Sequence, residues 1–566
     1  MKFQKNISYF ILALVLVVGT IIGYNSLNPS KPNYTDSSKT NVNNQMEHIL
    51  NISKEPHTIF EANKEAQDEV RDYLISQLEK FGVNTKTYKY DGIHLENHEA
   101  YGEDATKYVD LENIYGELKG KSDSYILLAT HYDSAGAKEG RYSQKEGSLG
   151  SADAGYALST ILETLRVIKE SNIELENGIK ILFTDGEECG LLGAKEAVKE
   201  DEIFEGVNYV INIEARGTSG PAIMFETSKN NNAVMDLYDS SISPFSYSIT
   251  PEIYRVLPNG TDFTVFLEKN LNGINISVLD GLEHYHTPND NPENLSDKSM
   301  QHYGDQVLPI VKEFVSNEKY SNPEALKGTE DSIFFILGNV FIKYSKTINY
   351  LLLALIVVLI VFLYRKYNIE KISKVFKFLG INLIYILAVA IISYGISRLM
   401  AVINNRPFEL TYLPLIKYEG ILVLSTIGIS VIGYILVIKK FSNNFKEKNE
   451  FILGSLILLL ILSLVLSFAL PGASYITVLP ALLVALFTTI KEIFAYNKNV
   501  SYIMLVPIFI IMVLYVPTVY LFNCALTFGA LCVVMIFTMI GVISLFSGVV
   551  SIKDIIKVDN KMFSRI

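Results

Sequence analysis

The sequence predicts an α/β domain, a three-layer sandwich with a mainly parallel central sheet, followed by an all-α polytopic transmembrane bundle. Between residues 46 and 320, short β-branched runs alternate with amphipathic helical patterns, which is typical of a parallel sheet covered by helices. Beyond residue 346 the chain is a series of apolar runs, each close to the length that spans a bilayer. At 566 residues the chain is also too long for one ordinary domain.

Charge divides the chain at the same place. Residues 1–345 carry 30 Lys and Arg against 52 Asp and Glu, whereas residues 346–566 carry 19 against 8. The first part is therefore an acidic domain, and a wholly soluble protein is excluded by the second. A nucleic-acid-binding protein would need a basic face to neutralise phosphates, so we expect no nucleic-acid partner. Three cysteines are too few for a disulfide framework or a thiolate zinc site.

The first element is an apolar run over residues 7–24. At about 1.5 Å per residue it reaches roughly 27 Å, which is close to the hydrocarbon thickness of a bilayer. A cleaved signal peptide is the alternative, but its apolar region is usually shorter and ends in small residues. We therefore expect a signal-anchor helix over residues 1–24. The Asn- and Ser-rich residues 25–45 predict a flexible stalk.

The α/β region begins with helical spacing over residues 65–81, which stops at Gly82. Two further helices are predicted over 154–169 and 296–315. Strand-like runs lie at 83–90, 109–118, 125–130, 180–184, 209–213 and 274–278. In such a sheet, ligands gather at the carboxyl ends of the parallel strands.

Seven more membrane spans are expected, near 347–364, 378–400, 419–438, 451–470, 474–490, 501–522 and 525–550. The N-terminus and every second connecting segment carry 17 Lys and Arg, whereas the opposite loops carry three. Because positive charge stays on the cytoplasmic side, both termini should lie inside and residues 25–345 outside. Pro471 and Gly472 leave a re-entrant hairpin as an alternative at that loop. The span interiors hold almost no ionisable residues, which favours an anchor or substrate-presenting bundle over an ion-coupled transporter.

Ligand-type side chains lie where predicted strands end or a helix begins: His131, Asp133, Asp153, Glu187, Glu188, Glu214, His284 and His286. Imidazoles and carboxylates without thiolates suit divalent metals, with zinc the first choice. Asp133 is placed to accept the second ring N–H of His131. In the adjacent Glu187–Glu188 pair, one carboxylate can bind metal while the other acts as a general base. A lone histidine near a strand end is usually a structural residue, and an acidic pair is usually part of a solvated surface. An ordered series of five such features is much harder to explain by coincidence.

The series THYDS, GSADAG, DGEECGLLGA, NIEARG and YHTPND resembles the di-zinc co-catalytic aminopeptidase family. That family also contains glutamate carboxypeptidase II, glutaminyl cyclases and transferrin receptors. The order of segments further resembles its membrane branch, the vacuolar membrane proteases and endoplasmic-reticulum metallopeptidases. The resemblance implies a zinc peptidase domain over residues 46–320, a linker over 321–345 and a transmembrane bundle of about seven helices over 346–566.

The resemblance also implies two zinc ions per chain and a role for each residue. The implied metal ligands are His131, Asp153 as the bridge, Glu188, Glu214 and His286. Asp133 would stand behind His131, Glu187 would be the general base, and Tyr285 would stabilise the oxyanion of the tetrahedral intermediate. His284 is expected at the rim. Arg216 is expected to be structural, with a substrate-carboxylate contact as the alternative, and Cys189 a small buried hydrophobe.

The implied function is a membrane-anchored zinc exopeptidase of aminopeptidase type, which hydrolyses peptides outside the cytoplasm through a zinc-bound water and a Glu base. A glutaminyl cyclase-like enzyme would usually retain one metal, and a non-catalytic receptor or scaffold would have eroded ligands. A transporter with an accessory domain is a further alternative. The expected partners are a peptide substrate and the lipid bilayer, with the oligomeric state open. Lys/Asn/Ile-rich usage favours a bacterial cell membrane. Five Asn-x-Ser/Thr sequences occur in the outer domain, and that of Asn275 falls in a predicted buried strand.

Overall fold

The computed structural model of the chain describes residues 2–101, 105–136, 147–257, 259–408, 410, 418–497 and 499–552. The chain opens with helix α1 (Lys2–Asn25). It divides into two compact units, one of Met1–Leu27 with Ile333–Ile566 and the other of Asn28–Ser332. The second unit is α/β and the first is helical apart from one hairpin, so the predicted fold class is confirmed.

Seven strands form the sheet of the α/β unit: β1 (Asn84–His94), β2 (Tyr108–Leu118), β3 (Tyr125–His131), β4 (Gly178–Thr184), β5 (Val207–Ile213), β6 (Ile223–Thr227) and β7 (Gly273–Ser277). Their order is β1-β2-β4-β3-β5-β7-β6. The four inner strands are parallel, as predicted, whereas β1, β2 and β6 pair antiparallel with their neighbours. The sheet is therefore mixed, because strands that are added at its two sides need no crossover helix.

Helices cover both faces of this sheet: α2 (Val42–Ile52), α3 (Lys64–Lys80), α4 (Gly155–Glu170), α5 (Leu192–Ala197), α6 (Asp201–Phe204), α7 (Asn232–Tyr238), α8 (Ile249–Tyr254), α9 (Asp262–Glu268) and α10 (Asp297–Ser316). Every residue of β3 and β4 is buried, which explains why their sequences are mostly apolar. On one face, side chains of β3, β4 and β5 form a core with α5 and α9. On the other, α4 and α10 contact β3. The carboxyl ends of the four parallel inner strands lie together at one edge of the sheet, between the two helical layers.

The segment predicted as a flexible stalk differs in the structure, because its residues from Asn28 onward belong to the α/β unit. The backbone N–H of Asn33 donates to Oε1 of Gln301 at 2.9 Å, and that of Asn41 to Oε2 of Glu163 at 2.9 Å. Arg166 donates to the carbonyl oxygen of Lys39 at 3.1 Å. The partners lie on α4 and α10, more than 120 residues away, so local composition could not reveal that this segment is docked.

The helical unit continues with α11 (Lys346–Tyr367), α12 (Ile372–Ile403), α13 (Glu419–Phe441), α14 (Lys448–Ala469), α15 (Tyr475–Ile493), α16 (Leu505–Leu526) and α17 (Leu531–Ser551). Among the described residues, α1 and these segments make eight helices long and apolar enough to cross a membrane, the number that the sequence predicts. At the loop after Leu470, α14 and α15 are two separate helices of that kind, not a short hairpin. Residues 411–417 and 553–566, which contribute to the charge pattern, lie outside the described residues.

The predicted linker contains a hairpin of β8 (Ser332–Leu337) and β9 (Val340–Ser345). Only Gly338 and Asn339 separate the strands, and Gly338 has φ 63°. A two-residue hairpin turn needs this left-handed conformation, which glycine adopts without strain. The flanking aromatic and β-branched residues, with this turn between them, are a signal from which the hairpin could have been predicted.

Helix α1 lies against α16 through two glycines spaced as Gly-x-x-x-Gly. A Cβ atom added at Gly19 would lie 2.9 Å from Cβ of Met512, and one at Gly23 would lie 3.1 Å from Cβ of Val516. Such closeness is available only to residues without a side chain, and close backbone approach is what stabilises helix pairs in lipid. Helix α1 is thus packed as a member of the bundle.

We predict that Gly19→Leu destabilises the bundle, because the new side chain overlaps Met512 and forces α1 away from α16. Overpacking of this kind costs about 1–3 kcal/mol. The thermal unfolding midpoint of the full chain in detergent micelles should fall, while Val17→Leu, at a position 55% exposed on the same helix, should leave it unchanged. Equal midpoints for both variants would contradict the helix pairing.

Candidate metal centre

The residues singled out in the sequence meet at one edge of the sheet. His131 is the last residue of β3, Glu187 and Glu188 lie in the loop after β4, and Glu214 directly follows β5. These strands are parallel neighbours in the order β4-β3-β5, so their carboxyl ends lie side by side. The expected location, at the carboxyl edge of a parallel sheet, is the location observed.

Asp153 lies at the centre of the cluster, immediately before α4. Its Oδ1 is 3.2 Å from Nε2 of His131, and its Oδ2 is 3.3 Å from Nε2 of His286. Two groups share it, His131–Asp153–Glu214 and Asp153–Glu188–His286, and within each group the possible ligand atoms lie within 4.8 Å of one another. A carboxylate whose two oxygens face different imidazoles has the geometry of a bridge between two cations.

Each group is completed by a glutamate. Oε2 of Glu214 lies 3.5 Å from Nε2 of His131, and Oε2 of Glu188 lies 3.0 Å from Nε2 of His286. Glu187 belongs to a third group, with His131 and Glu188, and so stands beside both of the others. The predicted ligands and the predicted base are therefore brought together, although their positions span 156 residues of sequence.

Asp133 takes part differently from the expectation. Nδ1 of His131 lies 2.8 Å from the backbone carbonyl oxygen of Asp133 and 3.6 Å from its carboxylate, so the ring N–H donates to the carbonyl. The carboxylate instead accepts the backbone N–H groups of Glu187 at 3.0 Å and Glu188 at 3.2 Å. Asp133 thus fixes the tautomer of His131 through its backbone, leaving Nε2 toward the cluster, and orders the Glu187–Glu188 loop through its side chain.

The loop after β7 supplies the last histidine in a strained backbone conformation. His286 has φ 55°, a left-handed value that residues other than glycine adopt uncommonly. The ring of Tyr285 stacks on that of His286, with centroids 3.7 Å apart. His284 turns elsewhere, since its Nδ1 lies 2.8 Å from the hydroxyl oxygen of Thr218. The structure therefore sets Tyr285 beside the cluster and His284 apart from it.

Burial raises the pKa of three carboxyl groups in the cluster. The pKa of Glu187 lies well above its usual range, first through burial and then through the negative charge of Glu214. Burial raises the pKa of Glu188 to about 7, and that of Glu214 is also raised by burial. These groups gain little solvation and repel one another, so a site of this kind favours added positive charge.

The pKa values of the imidazoles and the central carboxylate shift in the opposite sense. Burial opposes charge on His131, but the nearby carboxylates of Asp133, Asp153 and Glu214 outweigh burial and hold its pKa well above the usual value. The pKa of His286 rises to about 10 against burial, chiefly through the charge of Glu188. Burial opposes charge on Asp153 as well, but the two imidazoles outweigh it and lower the pKa of this carboxyl group. The carboxylates therefore favour positive charge between them.

The donor set fits divalent metal ions. Four carboxylates and two imidazoles converge without a thiolate, which suits zinc and other borderline or hard divalent ions. Oε1 of Glu188 is buried and accepts no hydrogen bond from the described residues, which leaves this oxygen available as a ligand atom. Both three-residue groups are complete, so the residues present could hold two ions.

Cys189 and Arg216, two other residues singled out in the sequence, lie outside the cluster of metal-ligand candidates. Cys189 is 7% exposed and lies in an apolar cluster with Ile59 and Phe60, as expected of a small hydrophobe. Arg216 is half-buried just beyond Glu214, with its backbone N–H donating to the carbonyl oxygen of Val278.

Asp290 lies within the YHTPND motif, but the sequence patterns assign it no role. Its Oδ1 accepts the backbone N–H of Ala152 at 2.7 Å, and its Oδ2 accepts the Ser148 hydroxyl at 3.0 Å and the backbone N–H of Asp153 at 3.3 Å. It is only 1% exposed. Asp290 ties the loop of His286 to the loop of Asp153, and its place in the motif is the only sequence signal that could have revealed it.

Residues 113–311 match Peptidase family M28. The vacuolar membrane protease of Candida albicans is 28% identical over 362 residues, which are 62% of this chain and 39% of that protein. Endoplasmic reticulum metallopeptidase 1 of Homo sapiens is 25% identical over 251 residues, 43% of this chain and 27% of that protein. The chain spans less than half the length of these curated relatives.

Among solved structures, a Zn-dependent exopeptidase from Parabacteroides distasonis is 21% identical, with a TM-score of 0.38 and coverage of 48% of this chain and 98% of that chain. A glutaminyl cyclase from Bacteroides thetaiotaomicron is 17% identical, with a TM-score of 0.39 and coverage of 50% and 99%.

The sequence matches confirm the resemblance that the motifs predict. Residues 113–311 form a Peptidase family M28 domain, and the relatives include proteins of the expected membrane branch. Eight helices of the described residues are long and apolar enough to cross a membrane, and the chain is accordingly an integral membrane protein.

We predict that Asp290→Asn weakens metal binding, because the new amide group cannot accept both sets of N–H and O–H donors and the two ligand loops drift apart. Loss of an outer hydrogen-bonding partner typically costs about 10- to 100-fold in metal affinity, and we expect roughly that loss for zinc. Competition with a chromophoric chelator measures it on the full chain in detergent. Asp297→Asn, which makes the same carboxylate-to-amide change at a residue that accepts the Tyr34 hydroxyl at 2.6 Å, is the control and should bind zinc normally. Equal affinities in the two variants would refute the role of Asp290.

Proposed function

We propose that this chain is a membrane-anchored zinc exopeptidase of aminopeptidase type, acting on peptides outside the cytoplasm. One observation carries the proposal: a single carboxylate, Asp153, is shared by two complete ligand groups, and a further glutamate, Glu187, stands beside both. The match of residues 113–311 to Peptidase family M28 supports peptide hydrolysis as the reaction.

We assign one zinc to His131, Asp153 and Glu214, and the other to Asp153, Glu188 and His286. This assignment follows the two groups that the distances define. Zinc held there would supply Lewis-acid polarisation of the scissile carbonyl and would acidify the attacking water.

The remaining residues handle protons and orientation. Glu187 takes the proton of the attacking water and returns it to the leaving amine. Asp133 keeps Glu187 in place, because its carboxylate accepts the backbone N–H groups of the Glu187–Glu188 loop. Tyr285, stacked on His286, donates its hydroxyl to the oxyanion that forms as water adds to the carbonyl. No reacting group other than water is needed, so the bond breaks by hydrolysis.

The helical bundle holds this chemistry at a membrane. We infer from the positive charge of alternate loops that both chain termini are cytoplasmic and that residues 25–345 are extracytoplasmic. Residue usage favours a bacterial cell membrane. We assign the bundle an anchoring or substrate-presenting role, because its spans hold almost no ionisable side chains.

We predict that Glu187→Gln abolishes most peptide hydrolysis while the protein still binds zinc. The glutamine side chain has the same shape but cannot accept a proton, and general-base catalysis contributes roughly 10²- to 10⁴-fold. Turnover of an aminoacyl substrate should fall by at least that factor at unchanged zinc content. Glu196→Gln on α5, whose carboxylate pairs with Lys199, is the matched control and should retain full turnover. Undiminished hydrolysis by the Glu187→Gln variant would contradict the proposed mechanism.

We predict two zinc ions per chain and activity that requires a free amino terminus. Removing metal with a chelator should abolish hydrolysis of unblocked peptides, and added zinc should restore it. The reason is that the proposed mechanism needs zinc to polarise the scissile carbonyl and to acidify the attacking water. Peptides with an acetylated amino terminus should be inert. One zinc per chain with pyroglutamate release from glutaminyl peptides would instead identify a cyclase, and cleavage of blocked peptides would exclude an aminopeptidase.

A further inference from the structure

A row of buried polar side chains crosses three neighbouring strands behind the metal centre. Asn212 on β5 is the register partner of Asn275 on β7, and Asn275 is the register partner of Glu226 on β6. Register partners project from the same face of a sheet. All three side chains are buried, and Glu226 is 3% exposed. We refer to Asn212, Asn275 and Glu226 as the polar ladder.

The hydrogen bonds of the polar ladder end on a ligand of the proposed metal centre. Nδ2 of Asn212 donates to Oε1 of Glu214 at 2.8 Å and to Oδ1 of Asn275 at 3.1 Å. Nδ2 of Asn275 donates to Oε2 of Glu226 at 3.2 Å and to the hydroxyl oxygen of Thr261 at 2.8 Å. Each amide therefore has both of its N–H bonds engaged.

The polar ladder has a direction, which Glu226 sets. An asparagine amide donates from one end and accepts at the other, so the partner at one end decides what the other end presents. Because Glu226 accepts from Asn275, the carbonyl oxygen of Asn275 is left to accept from Asn212. The NH₂ group of Asn212 is thereby turned toward Glu214.

Asn212 holds this orientation at the expense of its own carbonyl. Its Oδ1 is buried and accepts no hydrogen bond within the part of the chain that the structure describes, which is an unfavourable state for a polar atom. The reversed amide would set a carbonyl oxygen against the carboxylate of Glu214 and against Oδ1 of Asn275. The observed arrangement thus favours a donor aimed at Glu214 over a partner for the carbonyl of Asn212.

We propose that Glu226 is a positioning residue for Glu214, acting through Asn275 and Asn212, and this rests on the metal-binding part of the proposed function. The polar ladder holds Oε1 of Glu214, so that Oε2 stays directed to the side of His131, 3.5 Å from its Nε2. The same contacts also bear on the Asn-x-Ser sequence at Asn275. Its side chain is buried and hydrogen-bonded in the polar ladder, so it is not a glycan acceptor.

Replacing Glu226 tests the polar ladder without touching a metal ligand. Glu226→Met removes the acceptor at similar volume, whereas Glu226→Gln can turn its carbonyl oxygen toward Asn275 and keep the direction of the ladder. Thr227→Val is the matched control, because it removes a buried hydrogen bond from the same strand, to the carbonyl oxygen of Gly273. Zinc affinity is measured by chelator competition on the full chain in detergent, and the visible spectrum of the Co²⁺-loaded protein reports ligand geometry.

We expect Glu226→Met to lower zinc affinity about 10- to 100-fold and to alter the cobalt spectrum, as loss of an outer partner does at other metal centres. Glu226→Gln and Thr227→Val should stay close to wild type. If Glu226→Met fails to fold, Asn212→Ala removes the donor to Glu214 at the other end and should give the same loss.

Three results would overturn the positioning role. Wild-type affinity and spectrum in Glu226→Met would exclude it, as would an equal loss in Thr227→Val, which would reduce the effect to general destabilisation. An equal loss in Glu226→Gln would show that charge, not the accepting oxygen, matters. Because neither measurement uses a peptide, these results stand apart from hydrolysis. A wild-type chain that binds no zinc would overturn the proposed function and the ladder role together.

Discussion

The constraint on which this site depends is the gathering of four buried or half-buried carboxylates around two imidazoles at the ends of parallel strands. Such a cluster is unfavourable by itself, because burial removes solvation and like charges repel. Several surrounding elements provide hydrogen-bond donors to the carboxylates of this region. Backbone N–H groups approach Asp133 and Asp290, and a side-chain amide approaches Glu214. Neutral donors thus orient Glu214 directly and the loops of the other ligands through Asp133 and Asp290, and the compensating positive charge is left to the cations that we propose.

The parts of this arrangement that follow from local pattern could be predicted from the sequence. Mostly apolar runs identified β3 and β4, because strands buried on both faces show little regular polar alternation. Helical periodicity located α3, α4 and α10 close to their observed ends. The positions of His131, Glu187 and Glu214 directly after strands were then enough to gather them, since parallel strands end at one edge. Fold class and the content of the cluster needed little more.

What could not be predicted depends on partners distant in sequence. The docking of residues 28–41 rests on Glu163 and Gln301, which only the folded chain brings near. Strand β6 was missed because its short run is interrupted by Glu226, a charged residue whose burial depends on Asn275 of another strand. The carboxylate of Asp133 was assigned the wrong hydrogen-bond partner, because sequence spacing does not distinguish a residue's backbone oxygen from its side chain. These features depend on tertiary contacts, which the local sequence pattern does not determine.

The pairing of α1 with α16 has a consequence for how the protein is made. Helix α1 is synthesised before α16, and about 480 residues, including the whole α/β unit, lie between the two helices. At roughly 5–20 residues per second, that interval lasts on the order of 25–100 s. Throughout it, Gly19 and Gly23 are without the contacts to Met512 and Val516 that pack them in the complete bundle. The pairing of α1 with α16 is therefore a late event in biogenesis.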